Sequence, residues 1–151
     1  MIMRAVAAVA ALTVALAASA GDEASRYLTT KALSALPFSD AVWAGDTLYV
    51  SGNIGLDPKT GQAPADAALE AKLVMDAVKG TVERAGLTMD DVVSVTIYCT
   101  DLGLYDTFNT TYRGYFHGRF PARAFIGVAN ILRSGHFEVQ AIAVRRPAAQ
   151  K

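Results

Sequence analysis

The stretch "AVWAGDTLYVSGNIGL", Ala41 to Leu56, decides the fold. It reads as two strands around Gly45-Asp46, two residues that favour a tight turn. The pair predicts a hairpin. Working outward, "LDPKTGQAP" is rich in turn formers and reads as a loop. From Ala65 to Ala85, Ala67, Ala71, Val74, Val78 and Val82 recur at helical spacing, opposite Glu70, Lys72, Lys79 and Glu83, and Gly86 ends the run. "DVVSVTIYCT" follows as a strand rich in β-branched residues. "LGLYDTFNTTYRGYF" then predicts a second helix, with Tyr105, Phe108, Tyr112 and Tyr115 at helical intervals after Asp101 as cap. That aromatic stripe reads as core packing. The segments "ARAFIGVA" and "HFEVQAIAVRR" supply two more strands. The order predicts an α+β domain, a mixed sheet with two helices packed on one face. The other face needs a cover, and the expected cover is another copy of the same chain.

Composition limits the function classes. With 151 residues, 52% of them hydrophobic and 19% charged, the chain can bury the core of one domain. Fourteen basic residues balance fourteen acidic ones, so no global field draws it to nucleic acid or to a membrane surface. Cys99 is the single cysteine, which excludes an intrachain disulfide, and its apolar setting predicts burial. Two histidines, His117 and His136, do not supply a usual zinc ligand set, and no metal or organic cofactor is implied.

The N-terminus stands apart from the domain. Arg4 is followed by the apolar segment Ala5 to Ala17 and by "ASA" at Ala18 to Ala20, the pattern of a secretory signal peptide cut before Gly21. The alternative is an amphipathic or buried N-terminal helix. The first reading divides the chain into a signal peptide at 1–20, one domain at 21–147 and a frayed tail at 148–151, in a periplasmic or secreted protein with no membrane association after cleavage.

Arg123 poses the functional question. It opens the otherwise apolar run of "FPARAFIGVA", residues 120–129. A guanidinium there either pairs with an acid at a subunit interface or binds an anionic ligand through its fork of donors. Glu138 alternates with Phe137 and Val139, so it projects to the face opposite those two. It is free to pair with a base such as Arg145 or to serve a cleft.

The blocks "SGNIGLDPKTGQAPAD", "TFNTTYRGYF", "FPARA" and "FEVQAIAVRR" resemble, in order and spacing, the RidA/YjgF family of enamine and imine deaminases, over about Phe38 to Arg146. The resemblance implies a chorismate-mutase-like fold and a homotrimer with ligand clefts between neighbouring subunits. It implies a hydrolytic deaminase that converts 2-imino or enamine acids to 2-oxo acids and ammonia. Arg123 then binds the substrate carboxylate and Glu138 positions or activates water. Ser51 and Gly52 lie beside the ligand, Phe38 and Phe125 shape the pocket, and Asn109 is either a supporting polar residue or a structural hydrogen-bonder. The chain departs from the pattern at Phe38, where many members carry tyrosine, at Ala124 and Phe125, where many carry Ser-Cys, and at Asn130 to Gly135, which lacks the usual Leu-Pro element. Two other classes stay open: a non-catalytic binder of small carboxylates in the same clefts, and a holdase or endoribonuclease. A ribonuclease calls for a basic groove, which the neutral composition does not favour.

Overall fold

A computed structural model describes residues 26–30 and 35–146. The expected signal peptide and C-terminal tail lie outside the described residues. Six strands form one sheet: β1 (Tyr27–Leu28), β2 (Ala41–Ala44), β3 (Thr47–Ile54), β4 (Val92–Cys99), β5 (Ala122–Gly127) and β6 (Phe137–Val144). Two α-helices, α1 (Ala67–Arg84) and α2 (Tyr105–Tyr112), pack on one face. The strand order is β1-β2-β3-β6-β4-β5, with every neighbouring pair antiparallel except β4 and β5.

The hairpin forms as the sequence predicts. Ala44 pairs with Thr47, which leaves Gly45 and Asp46 as the loop, and Gly45 takes the left-handed φ of 59° that such a turn demands. Asp66 caps α1 by accepting from the N–H groups of Ala68 and Leu69, and Gly86, at φ 78°, lets the chain leave beyond the other end. The second helical segment is divided. Asp101 caps a 3₁₀ turn at Leu102–Leu104, α2 covers eight residues, and a further 3₁₀ turn takes in Arg113–Tyr115. The short strand β1 carries no sequence signal of its own; it extends the sheet by pairing with β2.

The core lies between helices and sheet. Leu48, Val50, Val95, Ile97, Cys99, Phe137, Val139, Ala141 and Ala143 point at Val74, Met75, Val78, Val82, Phe108 and Tyr112, all buried. Cys99 is fully buried, and burial pushes its thiol above the ordinary range. One assignment from periodicity is corrected. Glu70, placed on the solvent face of α1, is fully buried. Its Oε1 accepts from the backbone N–H groups of His136 (2.7 Å) and Phe137 (2.9 Å), and its Oε2 lies 2.5 Å from Nδ1 of His136. The start of β6 offers donors that nothing else satisfies, and a carboxylate from α1 meets them.

The opposite sheet face is open. Tyr49, Val93 and Ile126 are exposed on it, and Tyr98, Ile142 and Val144 are half-covered.

Candidate functional site

Register assigns each candidate residue to a face. Arg123 of β5 pairs with Val95, and Phe125 with Ile97, so both side chains share the helix-covered face with those buried residues. Glu138 of β6 pairs with Tyr98, while its neighbours Phe137 and Val139 are buried, so Glu138 lies on the open face. The two residues to which the resemblance assigns the chemistry are therefore on opposite sides of one sheet. The site of a single chain comes in two halves.

The first half is built around Arg123 at the β5 edge. Its Nη1 donates to Asn109 Oδ1 at 2.7 Å and its Nη2 to the Tyr105 hydroxyl at 3.1 Å, which fixes the plane of the guanidinium. Its Cζ lies 4.9 Å from the Tyr112 ring centroid, 5.4 Å from that of Tyr105 and 5.9 Å from that of Phe125. Such ring contacts stabilise a cation by about 0.5–2 kcal/mol each. Among the described residues no carboxylate pairs with Arg123. A half-buried guanidinium with donors to spare and no counter-ion is costly unless an anion joins it. It opens on a cleft of about 210 Å³, walled by Tyr105, Tyr112, Arg113, Phe120 and Pro121. The Tyr112 hydroxyl is buried without a hydrogen-bond partner, and burial pushes it up to about 12 although the charge of Arg123 pulls it down.

Asn109 thus holds the arginine through its side-chain oxygen. Phe125 packs edge-on against Tyr105 and Phe108, with centroids 5.0 and 5.8 Å apart, and forms an aromatic wall behind Arg123. Tyr105, Arg113 and Phe120 also line the cleft, and nothing in the sequence alone singles them out. The aromatic stripe of α2 reads as core, and Phe108 and Tyr112 are core, but Tyr105 is 45% exposed and presents its hydroxyl to Arg123.

The second half lies where β3 meets β6. Between Val50 and Asn53 the pairing shifts by one residue, so Ser51 and Gly52 form a bulge opposite Gln140. A bulge re-aims side chains at the cost of one ladder bond. Here the Nδ2 group of Asn53 donates to the Ser51 carbonyl at 2.8 Å. The Ser51 hydroxyl donates to the Ser39 carbonyl at 2.6 Å, tying down the segment that carries Phe38, whose ring is 49% exposed. Gly52 has a specific reason to lack a side chain: a Cβ there would collide with Oε1 of Glu138. The glycine makes room for the Glu138 carboxylate. Glu138 forms no ion pair among the described residues, and Arg145 instead stacks 4.3 Å from the Trp43 ring centroid.

A mixed six-stranded sheet backed by two helices is the architecture of a class, the chorismate-mutase-like α+β subunits of the RidA/YjgF fold. Comparison with known proteins agrees. The model of the family described as Endoribonuclease L-PSP matches residues 29–145. The 2-iminobutanoate/2-iminopropanoate deaminase of Escherichia coli K12 is 41% identical over 113 residues, 73% of this chain and 88% of that protein. The protein of the same name from Mus musculus is 40% identical over 121 residues, 79% of this chain and 90% of that one. Among solved structures, the YjgF gene product of E. coli superposes with a TM-score of 0.70 at 37% identity, and E. coli TdcF with bound serine with 0.70 at 32%, each covering 81% of this chain and 95% of the other. The chain belongs to this family, known both as Endoribonuclease L-PSP and as RidA/YjgF.

Proposed function

We propose that the chain is a hydrolytic deaminase of 2-imino acids and their enamine tautomers, acting as a homotrimer whose clefts lie between subunits. The observation that carries this reading is the unpaired Arg123 at an open cleft, oriented by Asn109 and Tyr105. The names of the relatives at about 40% identity support the reaction type. The open face, where Tyr49, Tyr98, Ile126, Ile142 and Val144 lie among polar residues such as Ser94, Thr96 and Gln140, supports self-association, because it is the surface a second copy would cover. In such an assembly the Arg123 half of one subunit faces the Ser51, Gly52 and Glu138 half of the next, which unites what one chain keeps apart.

The chemistry follows from the groups. Arg123 holds the substrate carboxylate through two parallel hydrogen bonds, which orients the adjacent C=N carbon. Water adds to that carbon as Glu138 of the partner subunit takes its proton. That proton passes to the imine nitrogen to give a carbinolamine; the carboxylate then carries the carbinolamine hydroxyl proton to the amino group, the C–N bond breaks as the hydroxyl oxygen becomes the C=O, and ammonia and the 2-oxo acid leave. Phe38 and Phe125 exclude bulk water from the cleft. Residues 1–20 direct export, residues 21–147 form the mature domain with a short tail beyond it, and the substrate is an imine formed outside the cytoplasm.

The test is ammonia release from freshly generated 2-iminopropanoate. Arg123→Ala is expected to lose both binding and turnover, and Glu138→Gln to keep binding and lose turnover. Binding that survives Arg123→Ala rules out the carboxylate site, and undiminished turnover by Glu138→Gln removes Glu138 from the mechanism. A wild-type protein that binds 2-oxo acids without accelerating ammonia release is a carboxylate-binding module.

A further inference from the structure

The cleft at Arg123 holds a second cation. Arg113 follows directly on α2 and lines the same space, with its Cζ 6.0 Å from the Phe120 ring centroid. Phe120 in turn stacks on Tyr112, with centroids 6.2 Å apart and ring planes 23° from parallel, and Tyr112 carries Arg123 on its ring. One aromatic stack thus presents two guanidiniums to one small cleft. No acidic residue lines that cleft, and among the described residues neither arginine has a carboxylate partner. A cation in this place also suits the C-terminal end of α2. The helix end, however, asks only for positive charge nearby, and does not account for a side chain laid on the cleft wall.

Two like charges around a space of about 210 Å³ repel each other, and the repulsion is relieved best by a ligand with two negative groups. A monocarboxylate satisfies one arginine and leaves the other unpaired. We propose that the preferred substrate is a dicarboxylic 2-imino acid, the imine of an acidic amino acid, with its α-carboxylate on Arg123 and its side-chain carboxylate on Arg113. This rests on the deaminase reading above. The reaction is then imine diacid plus water giving 2-oxo diacid plus ammonia, the C=N bond being replaced by C=O without any redox partner. The class of reaction that supplies it is the oxidation of an acidic amino acid at its α-carbon.

The test uses the purified full chain and two stable product analogues, 2-oxobutanoate and 2-oxoglutarate, titrated calorimetrically, beside turnover of the imines that amino-acid oxidases generate from 2-aminobutanoate and glutamate. The diacid is expected to bind about tenfold or more tightly than the monoacid, the scale of one added charge-assisted contact. Arg113→Ala should bring the ratio close to one, Arg113→Lys should restore part of it, and Arg123→Ala should weaken both acids. A ratio near one in the wild type, or a ratio that survives Arg113→Ala, overturns the inference. Turnover of both imines without preference leaves the deaminase reading standing and rejects the diacid. An Arg113-dependent diacid preference without turnover of either imine supports the diacid site and rejects the deaminase.

Discussion

In a Gly52→Ala variant the new methyl would overlap Oε1 of Glu138 and stand 3.0 Å from its Cδ and 3.3 Å from its Cγ. Non-bonded carbons settle at about 3.5–4.0 Å, so the carboxyl carbon must retreat by about 0.5 Å and the oxygen by about 1 Å or more. Nothing else in the fold needs to move, because the colliding atoms are the free end of one side chain. Gly52 is not among the glycines with positive φ, so alanine fits the backbone. It gains about 0.4–1 kcal/mol from a less disordered unfolded state, against about 0.5–1.5 kcal/mol for an off-rotamer glutamate. Net stability should stay within about 1 kcal/mol of wild type, roughly 4 °C in melting temperature. On the proposed mechanism turnover is another matter, since a catalytic group displaced by about 1 Å can lose about a hundredfold in rate. Thermal unfolding followed by circular dichroism, beside ammonia release from 2-iminopropanoate, reads both. A folded variant with kcat within about threefold of wild type would refute the claim that the seat Gly52 gives the Glu138 carboxylate serves turnover.

Other substitutions probe other parts of the structure. Glu70→Ala leaves the His136 and Phe137 N–H groups without acceptors inside the protein and should cost about 3–5 kcal/mol, whereas Glu70→Gln keeps an acceptor and should cost far less; urea midpoints that coincide for the two would refute the pinning role. Tyr112→Phe removes a buried hydroxyl that has no partner, so stability in the absence of ligand should hold or rise by up to about 1 kcal/mol; a clear loss in the urea midpoint would reveal a hidden partner. At Asp76 burial pushes the carboxyl up, but hydrogen bonds from Lys72 and Tyr115 and the charges of Lys72 and Lys79 outweigh it and hold it below its ordinary value of 3.8. Its contribution is therefore present above that value and lost as pH falls through the folded one. Melting curves of wild type and Asp76→Asn should differ at pH 7 and converge near pH 2; a gap that persists in acid would contradict this.

How much could be read from the sequence depends on how local the cause is. The hairpin at Gly45 and the amphipathic α1 are set by neighbours along the chain, and both form within two residues of the expected limits. Arg123 stood out because a charge in an apolar run needs a reason. Glu70 was misplaced because a helical wheel assigns polar residues to solvent, while the donors that bury it lie 66 and 67 residues away. Tyr105 gives no signal because an aromatic stripe looks the same whether it packs a core or flanks a cleft, and Arg113 none because a charged residue beyond a helix end reads as solvated. The alternation around Glu138 showed that it leaves the core. That Arg123 emerges on the other face required the parallel register of β5 against β4, which no periodicity reveals.

The separation of Arg123 and Glu138 by the thickness of the sheet carries a genetic consequence. In the proposed trimer each cleft draws one functional group from either of two chains, so two different crippled proteins can repair each other. Subunits bearing Arg123→Ala, co-assembled with subunits bearing Glu138→Gln, would regain an intact cleft wherever an unaltered arginine meets an unaltered glutamate. Neither parent could form one. In that assembly the two lesions complement each other, and an isolated subunit, however well folded, would hold only half of a cleft.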